Sequence, residues 1–225
     1  MTVLHLADET EAADLAAFLS RLLHYDRGAA VRLQAAGTAL AVFGRPPSFE
    51  VLAVRAVRLA KPYENGLDVT LDVTVSAGQF LETVDERAAT AGVPAAVTGP
   101  PWAGVLPPRG GWQAVPGLPA PDALRATVAA AVTEFRSRTE ELAPDGRTRA
   151  ELDRIGRDVW SREIGRTGLP VRAVHAAQSL GFLRPGGDPA DTALLSSGAW
   201  LRLRTPYGSV AVRRAGLGAL GVSVR

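Results

Sequence analysis

Cysteine is absent from the 225 residues, lysine occurs once, at position 61, and no uninterrupted apolar run approaches the roughly 18–20 residues that a bilayer span requires. Each absence removes a class of explanation. Without thiols there is no disulfide framework, no zinc ribbon and no cysteine nucleophile, and nothing conflicts with a reducing compartment. The opening MTVLHLADETEAAD carries acids where a secretory leader carries a positive segment, so a cytoplasmic protein with no membrane attachment is expected. There is no phosphate-binding GxxxxGK[ST] loop, no GxSxG elbow and no SxxK pair. His5, His24 and His175 stand far apart, outside the HxxxH and HExxH spacings that put two imidazoles on one helix face. The sequence therefore assigns no catalytic residue, no cofactor and no metal. GLGALG, from Gly216 to Gly221, has the letters of a dinucleotide fingerprint, but that motif needs a following helix whose amino end meets the pyrophosphate, and only four residues remain. A closely packed or flexible terminal strand, VSVR, is expected there instead.

An apolar fraction of 47% is enough to bury a core, so the chain is expected to fold. Its formal net charge of +2 conceals a division: 12 basic against 17 acidic residues up to Asp145, then 13 against 6 beyond it. Such a split points to an anionic partner for the basic part. Arginine supplies all but one of the basic residues, a bias that a GC-rich genome produces as readily as selection for phosphate.

The pattern along the chain predicts an α+β protein. Val3 to Leu6 reads as a strand; Asp8 with Glu11 forms a capping box, and Leu15, Phe18, Leu19 and Leu22 then recur at helical spacing. AAVRLQ, TALAVFG, FEVLAVRAVRL and LDVTLDVTV, the last two parted by a PYENG turn, alternate as an antiparallel meander would. Ser76 with Gln79 opens a second helix, SAGQFLETVDERAATAG, expected to end at Gly92. Residues 93–121 hold half of the 16 prolines, a density that no helix or central strand survives; a free linker and a proline-rich ligand for an aromatic groove are two readings, but the indoles of Trp102 and Trp112 favour burial and so an ordered connection. Asp122 is expected to cap the next helix, Thr148 with Glu151 the one after it, ending at Gly168, and Pro170 to begin LPVRAVHAAQSL, which Gly181 ends. The expected division is an N-terminal antiparallel β-meander with two helices (1–92), a Pro/Trp-rich connecting segment (93–121), and a basic helical region closed by a β-hairpin (122–225).

That hairpin, WLRLRTPYGSVAVRR, turns at Thr205-Pro206-Tyr207-Gly208 in a four-residue type I loop. In this register Leu203 faces Val210 and Leu201 faces Val212 on one side, while Trp200, Arg202, Arg204 and Arg213 share the other. A winged-helix protein sets such a hairpin on phosphates and a preceding helix in the major groove. Here that helix offers only Arg172, His175, Gln178 and Ser179 among small apolar residues. The bland alternative is an arginine-decorated sheet edge protected from pairing. Carboxylate pairs such as Asp85-Glu86 and Glu140-Glu141 read as solvated helix faces.

GPPWAGVLPPRGGWQ and LPVRAVHAAQSLGFL resemble a group of uncharacterised actinobacterial proteins of unknown function, which implies an origin only. Residues 3–86 order their elements as strand, helix, three strands, strand, helix, and LDVTVSAGQFLETVD resembles the strand-plus-helix element of a DNA sliding-clamp half-domain. Such a clamp lines DNA with basic helices; those here carry Glu9, Glu11 and Asp14, or Glu82, Asp85 and Glu86, and acidic faces repel phosphate. The functional expectation is a non-enzymatic binding or scaffold protein meeting a protein partner, a second copy of itself or nucleic acid through Trp200, Arg202, Arg204, Arg213 and Arg172. The alternative is an enzyme or small-ligand protein with a pocket near His24, Tyr25 and Asp26.

Overall fold

The computed structural model describes residues 2–60 and 71–214; the PYENG turn and the GLGALG tail lie outside the described residues. Strand β1 (Val3–His5) leads into helix α1 (Glu9–Tyr25), whose first turn is fixed by the Asp8 carboxylate accepting the Glu11 N–H at 2.9 Å. Strands β2 (Ala30–Ala36), β3 (Ala39–Gly44), β4 (Leu52–Arg58) and β5 (Asp72–Ser76) follow, then helix α2 (Ala77–Glu82), capped by Ser76, and the short strands β6 (Val84–Asp85) and β7 (Thr90–Gly92). The connecting segment contributes a single 3-10 turn (Pro101–Gly104) and the two-residue strand β8 (Gln113–Ala114). Helices α3 (Pro121–Glu140), α4 (Arg149–Trp160) and α5 (Val171–Ser179) precede strands β9 (Ala193–Ser197), β10 (Trp200–Thr205) and β11 (Gly208–Arg213). The mixed α+β class expected from the sequence is what the chain adopts.

Among the described residues, eight strands form one sheet in the order β5-β2-β3-β4-β11-β10-β9-β8, and β1, β7 and β6 form a small second one. The first four large-sheet strands make a Greek key rather than a simple meander, because β5 returns beside β2 and leaves the far edge of β4 to β11. Period-two alternation then gives the sheet two unlike faces. Val31, Leu33, Leu40, Val42, Ala53, Val57, Leu201, Leu203, Val210 and Val212 point inward to the core under α1 and α5. Phe43, Leu52, Val54 and Ala211 form a second, smaller cluster on the outer face.

Several sequence expectations are corrected. The second helix stops at Glu82 instead of Gly92: the Thr83 hydroxyl donates to Phe80 O and Gly92 O at 2.7 Å, the Asp85 carboxylate accepts the Ala88 N–H, and Ala89 takes a φ of +49°, so the chain turns back as β6 and β7. Asp85-Glu86 therefore sits on a hairpin. α3 begins at Pro121 with no side-chain cap, leaving Asp122 within its first turn. α4 ends at Trp160, well short of Gly168, which instead takes a left-handed φ of +72° in the following loop. The β10–β11 hairpin has the expected register, Leu203 to Val210 and Leu201 to Val212, but Thr205 pairs with Gly208, so the loop is two residues, Pro206 and Tyr207. Neither strand is an edge or a wing, since β11 pairs with β4 and β10 with β9.

Arg55 explains how the halves of the sheet are joined. On β4 it points inward and is 5% exposed, a placement a guanidinium tolerates only when paired. Its two terminal nitrogens donate to Glu11 (2.9 Å) and Asp14 (3.3 Å) of α1 and to the carbonyl of Tyr207 (2.8 Å) in the β10–β11 turn. Arg58 donates to Glu11 as well, and Arg184, stacked 3.6 Å over the Tyr207 ring, donates to Asp14 at 2.7 Å. Glu11 and Asp14 of α1 are thus the counter-charges of the buried Arg55. Arg55→Met should cost about 3 kcal/mol or more of stability in urea titrations, because Glu11 loses its buried cation, and adding Glu11→Gln should restore part of that loss. Equal stability of the single variant and the native protein would dismiss the network as a stabilising element.

A chain of rings makes a second seam. Tyr25, at the end of α1, meets Phe49 edge-on at 5.1 Å; Phe49 meets His175 of α5 at 5.1 Å; and His175 stacks on Trp160 of α4 at 4.7 Å. Burial holds the His175 imidazole below its ordinary value of 6.5. The unfolded chain therefore takes up a proton more readily than the fold, and the stability owed to neutral His175 is complete above about pH 7 and lost as pH falls through 6.5 towards the depressed folded value. Urea midpoints should decline between about pH 7 and about pH 5.5, and His175→Phe should flatten that decline; identical slopes would remove His175 as its source.

Candidate binding cleft

Residues 97–114 run as a strap across the outer face of the large sheet. At one end the Val97 N–H donates to Thr74 O of edge strand β5 at 2.9 Å; at the other, β8 pairs with β9, with Gln113 opposite Ser196. Between them the Arg32 guanidinium donates to Ala103 O, Ser197 Oγ donates to Gly110 O at 3.2 Å, and the Trp112 indole N–H donates to Pro108 O at 3.0 Å. Trp102 and Leu106 press onto Phe43, Leu52, Val54 and Ala211, so apolar packing pins a segment that its prolines keep out of helix or central strand. This is the ordered, tryptophan-anchored connection that two indoles among prolines suggested.

Two clefts open along the strap. The first, about 390 Å³, is lined by Arg45, Glu50, Trp102, Val105, Arg172, Trp200 and Arg213. Its members converge from four places: Arg45 follows β3, Glu50 sits in a left-handed turn (φ +52°) before β4, Arg172 is on the first turn of α5, and Trp200 and Arg213 face each other across the β10–β11 pair. The Arg213 guanidinium lies 5.8 Å above the Trp200 ring. Arg172 reaches Glu50 only at 3.7 Å, and its buried Nε–H has no hydrogen-bond acceptor. Among the described residues, Arg45 and Arg213 have no carboxylate within 4 Å.

The second cleft, also about 390 Å³, lies across the strap and is lined by Arg32, Gln34, Phe43, Leu106, Arg109 and Arg202. Arg32 is neutralised by Asp72 at 2.7 Å, and that guanidinium's hydrogen bond, with Gln34 and Arg109 nearby, holds the Asp72 carboxyl below its usual range. Among the described residues Arg202 has no such partner; its Nε donates to Ser209 Oγ at 2.8 Å and it lies 5.7 Å from the Trp112 ring. Burial, and the like charge of Arg204, pull the Arg202 guanidinium below its ordinary value. A third hollow, about 680 Å³, neighbours the first cleft, with Arg45 and Trp102 lining both, and extends past Thr98, Gly99 and Ser76 to Asp26.

The structure brings three of the sequence-predicted contacts, Trp200, Arg213 and Arg172, into one cleft. Arg202 lies in its neighbour, and Arg204 stands exposed on the same outer face. Arg45, Glu50 and the role of Trp102 escaped sequence reasoning; the clustering of indoles with prolines was the only signal for the last. Helix α5 has no exposed residue, so it cannot enter a groove as a recognition helix. Of His24, Tyr25 and Asp26, only Asp26 reaches the third hollow, and its carboxylate is engaged by the Gly28 N–H at 2.9 Å. Among the described residues no helix is long and apolar enough to cross a membrane.

No curated protein and no solved structure matches the chain. Residues 1–104 match a domain of unknown function (DUF8010) and residues 107–217 another domain of unknown function (DUF8185). The two matches meet inside the strap, between Trp102 and Trp112. Nearly the whole chain is thus accounted for by two domains of unknown function in tandem, DUF8010 followed by DUF8185.

Proposed function

We propose that the protein is a binding module that holds an anionic partner, protein or nucleic acid, in the cleft between the strap and the C-terminal hairpin. The observation that supports this reading most is the convergence of Arg45, Arg172 and Arg213 with Trp102 and Trp200 in one cavity where, among the described residues, the only lining carboxylate is Glu50, 3.7 Å from the Arg172 guanidinium. An arginine cluster with that little internal neutralisation raises the local potential and rewards an incoming anion, and its planar forks suit phosphate or carboxylate oxygens. The indoles add stacking and apolar area at little cost in rotamer freedom. Arg202 and Arg204 extend the same sign of charge along the outer face. A docking role, with the chemistry left to the partner, agrees with the absence of catalytic motifs in the sequence.

Retention on a heparin column reads this directly, heparin serving as a general polyanion. The native protein should elute only at raised salt, and Arg45→Glu with Arg213→Glu should elute markedly earlier. Arg87→Glu with Arg166→Glu, the same charge change at exposed positions outside the cleft, should shift elution far less. Equal shifts for the two pairs would show net charge at work in place of a site and would sink the proposal.

A further inference from the structure

Resting on that reading, we infer that the cleft takes single-stranded nucleic acid, with unpaired bases against Trp102 and Trp200 and phosphates beside Arg45 and Arg213. Two features select this ligand among anions. The site is elongated: the 390 Å³ cleft and the 680 Å³ hollow adjoin at Arg45 and Trp102, which line both, and neighbouring clefts along one strap suit a polymer. Its wall is apolar as well as cationic: Val3, Val97 and Val105 are the exposed large apolar side chains among the described residues, and Val105 lines the cleft and Val97 the adjoining hollow. A ligand that buries flat apolar rings between charges satisfies such a wall, whereas an acidic peptide would leave the indoles and valines without partners.

Duplex is disfavoured on independent grounds. Reading a major groove needs a presented helix or ribbon, but every residue of α5 is buried or half-buried, and the hairpin is locked within the sheet between β4 and β9. Indoles recessed beside a strap reach bases only when those are unstacked from a partner strand. Readout is then by stacking and charge, with little sequence preference.

The test is fluorescence anisotropy of the full chain with a labelled oligothymidylate of about 20 nucleotides, the same length of duplex, and a polyglutamate peptide, each over a salt series, with tryptophan quenching followed in parallel. Expected is single-strand binding with quenching, at least roughly ten-fold tighter than duplex. Trp102→Ala and Trp200→Ala should each weaken it by about five-fold or more at an unchanged salt slope, while Arg213→Ala should lower the slope by about one. Trp200→Phe should bind better than Trp200→Ala, and thermal melting of each variant separates lost contact from lost fold. Duplex bound as tightly as single strand, or polyglutamate bound in its place, overturns the inference while leaving an anion-binding cleft. Failure of all three probes together with weak heparin retention overturns both.

Discussion

A positive charge aimed into the core from the middle of a sheet constrains everything around it. Arg55 can occupy its place only if α1 brings Glu11 and Asp14 over β4 and the turn of the C-terminal hairpin brings the Tyr207 carbonyl to the same point. Those partners lie far apart in sequence, and satisfying them together fixes α1, β4 and β11 relative to one another. The backbone pairing of Val54, Ala53 and Leu52 with Ser209, Val210 and Ala211 follows the same alignment. Nearby packing agrees: Phe182 stacks on Phe18 at 5.4 Å and fills the space over Gly208, where a Cβ would lie 2.5 Å from its ring.

Uniting the strands into one sheet creates a broad outer face, and an open sheet face must be covered or carry polar residues. The chain does both. Its centre, Phe43, Leu52, Val54 and Ala211, is covered by Trp102 and Leu106, while arginines occupy the flanks. The strap is narrower than the sheet, so clefts remain along it, and the half-buried indoles that hold it down also line them. One set of side chains thus serves packing and surface chemistry. The ring series from Tyr25 to Trp160 passes beside the first cleft, since Phe49 precedes Glu50 and His175 lies one turn along α5 from Arg172.

Local chemistry was legible in the sequence and distant pairing was not. The caps at Asp8, Ser76 and Thr148 follow from side chains three residues from their targets, and the hairpin register follows from alternating leucine, arginine and valine. Glu11 and Asp14 read only as acids that repel phosphate, because nothing local reveals that Arg55 lies beneath them. ERAATAG has helical composition, yet the Asp85 turn and the left-handed Ala89 outweigh propensity once β7 can pair with β1. Of the cleft, Trp200, Arg213 and Arg172 could be nominated from charge and alternation; Arg45, between a glycine and two prolines, carries no pattern that would single it out.

The seam between β4 and β11 also bears on how such a chain is inherited. A gene encoding either portion alone would produce a sheet ending in a raw strand, with unsatisfied amides along it, an inward arginine or a hairpin turn missing its mate, and half of a ribbon meant to lie across both. Shuffling at the obvious junction therefore meets a penalty on each side, and the pair is expected to pass from ancestor to descendant as a single unit.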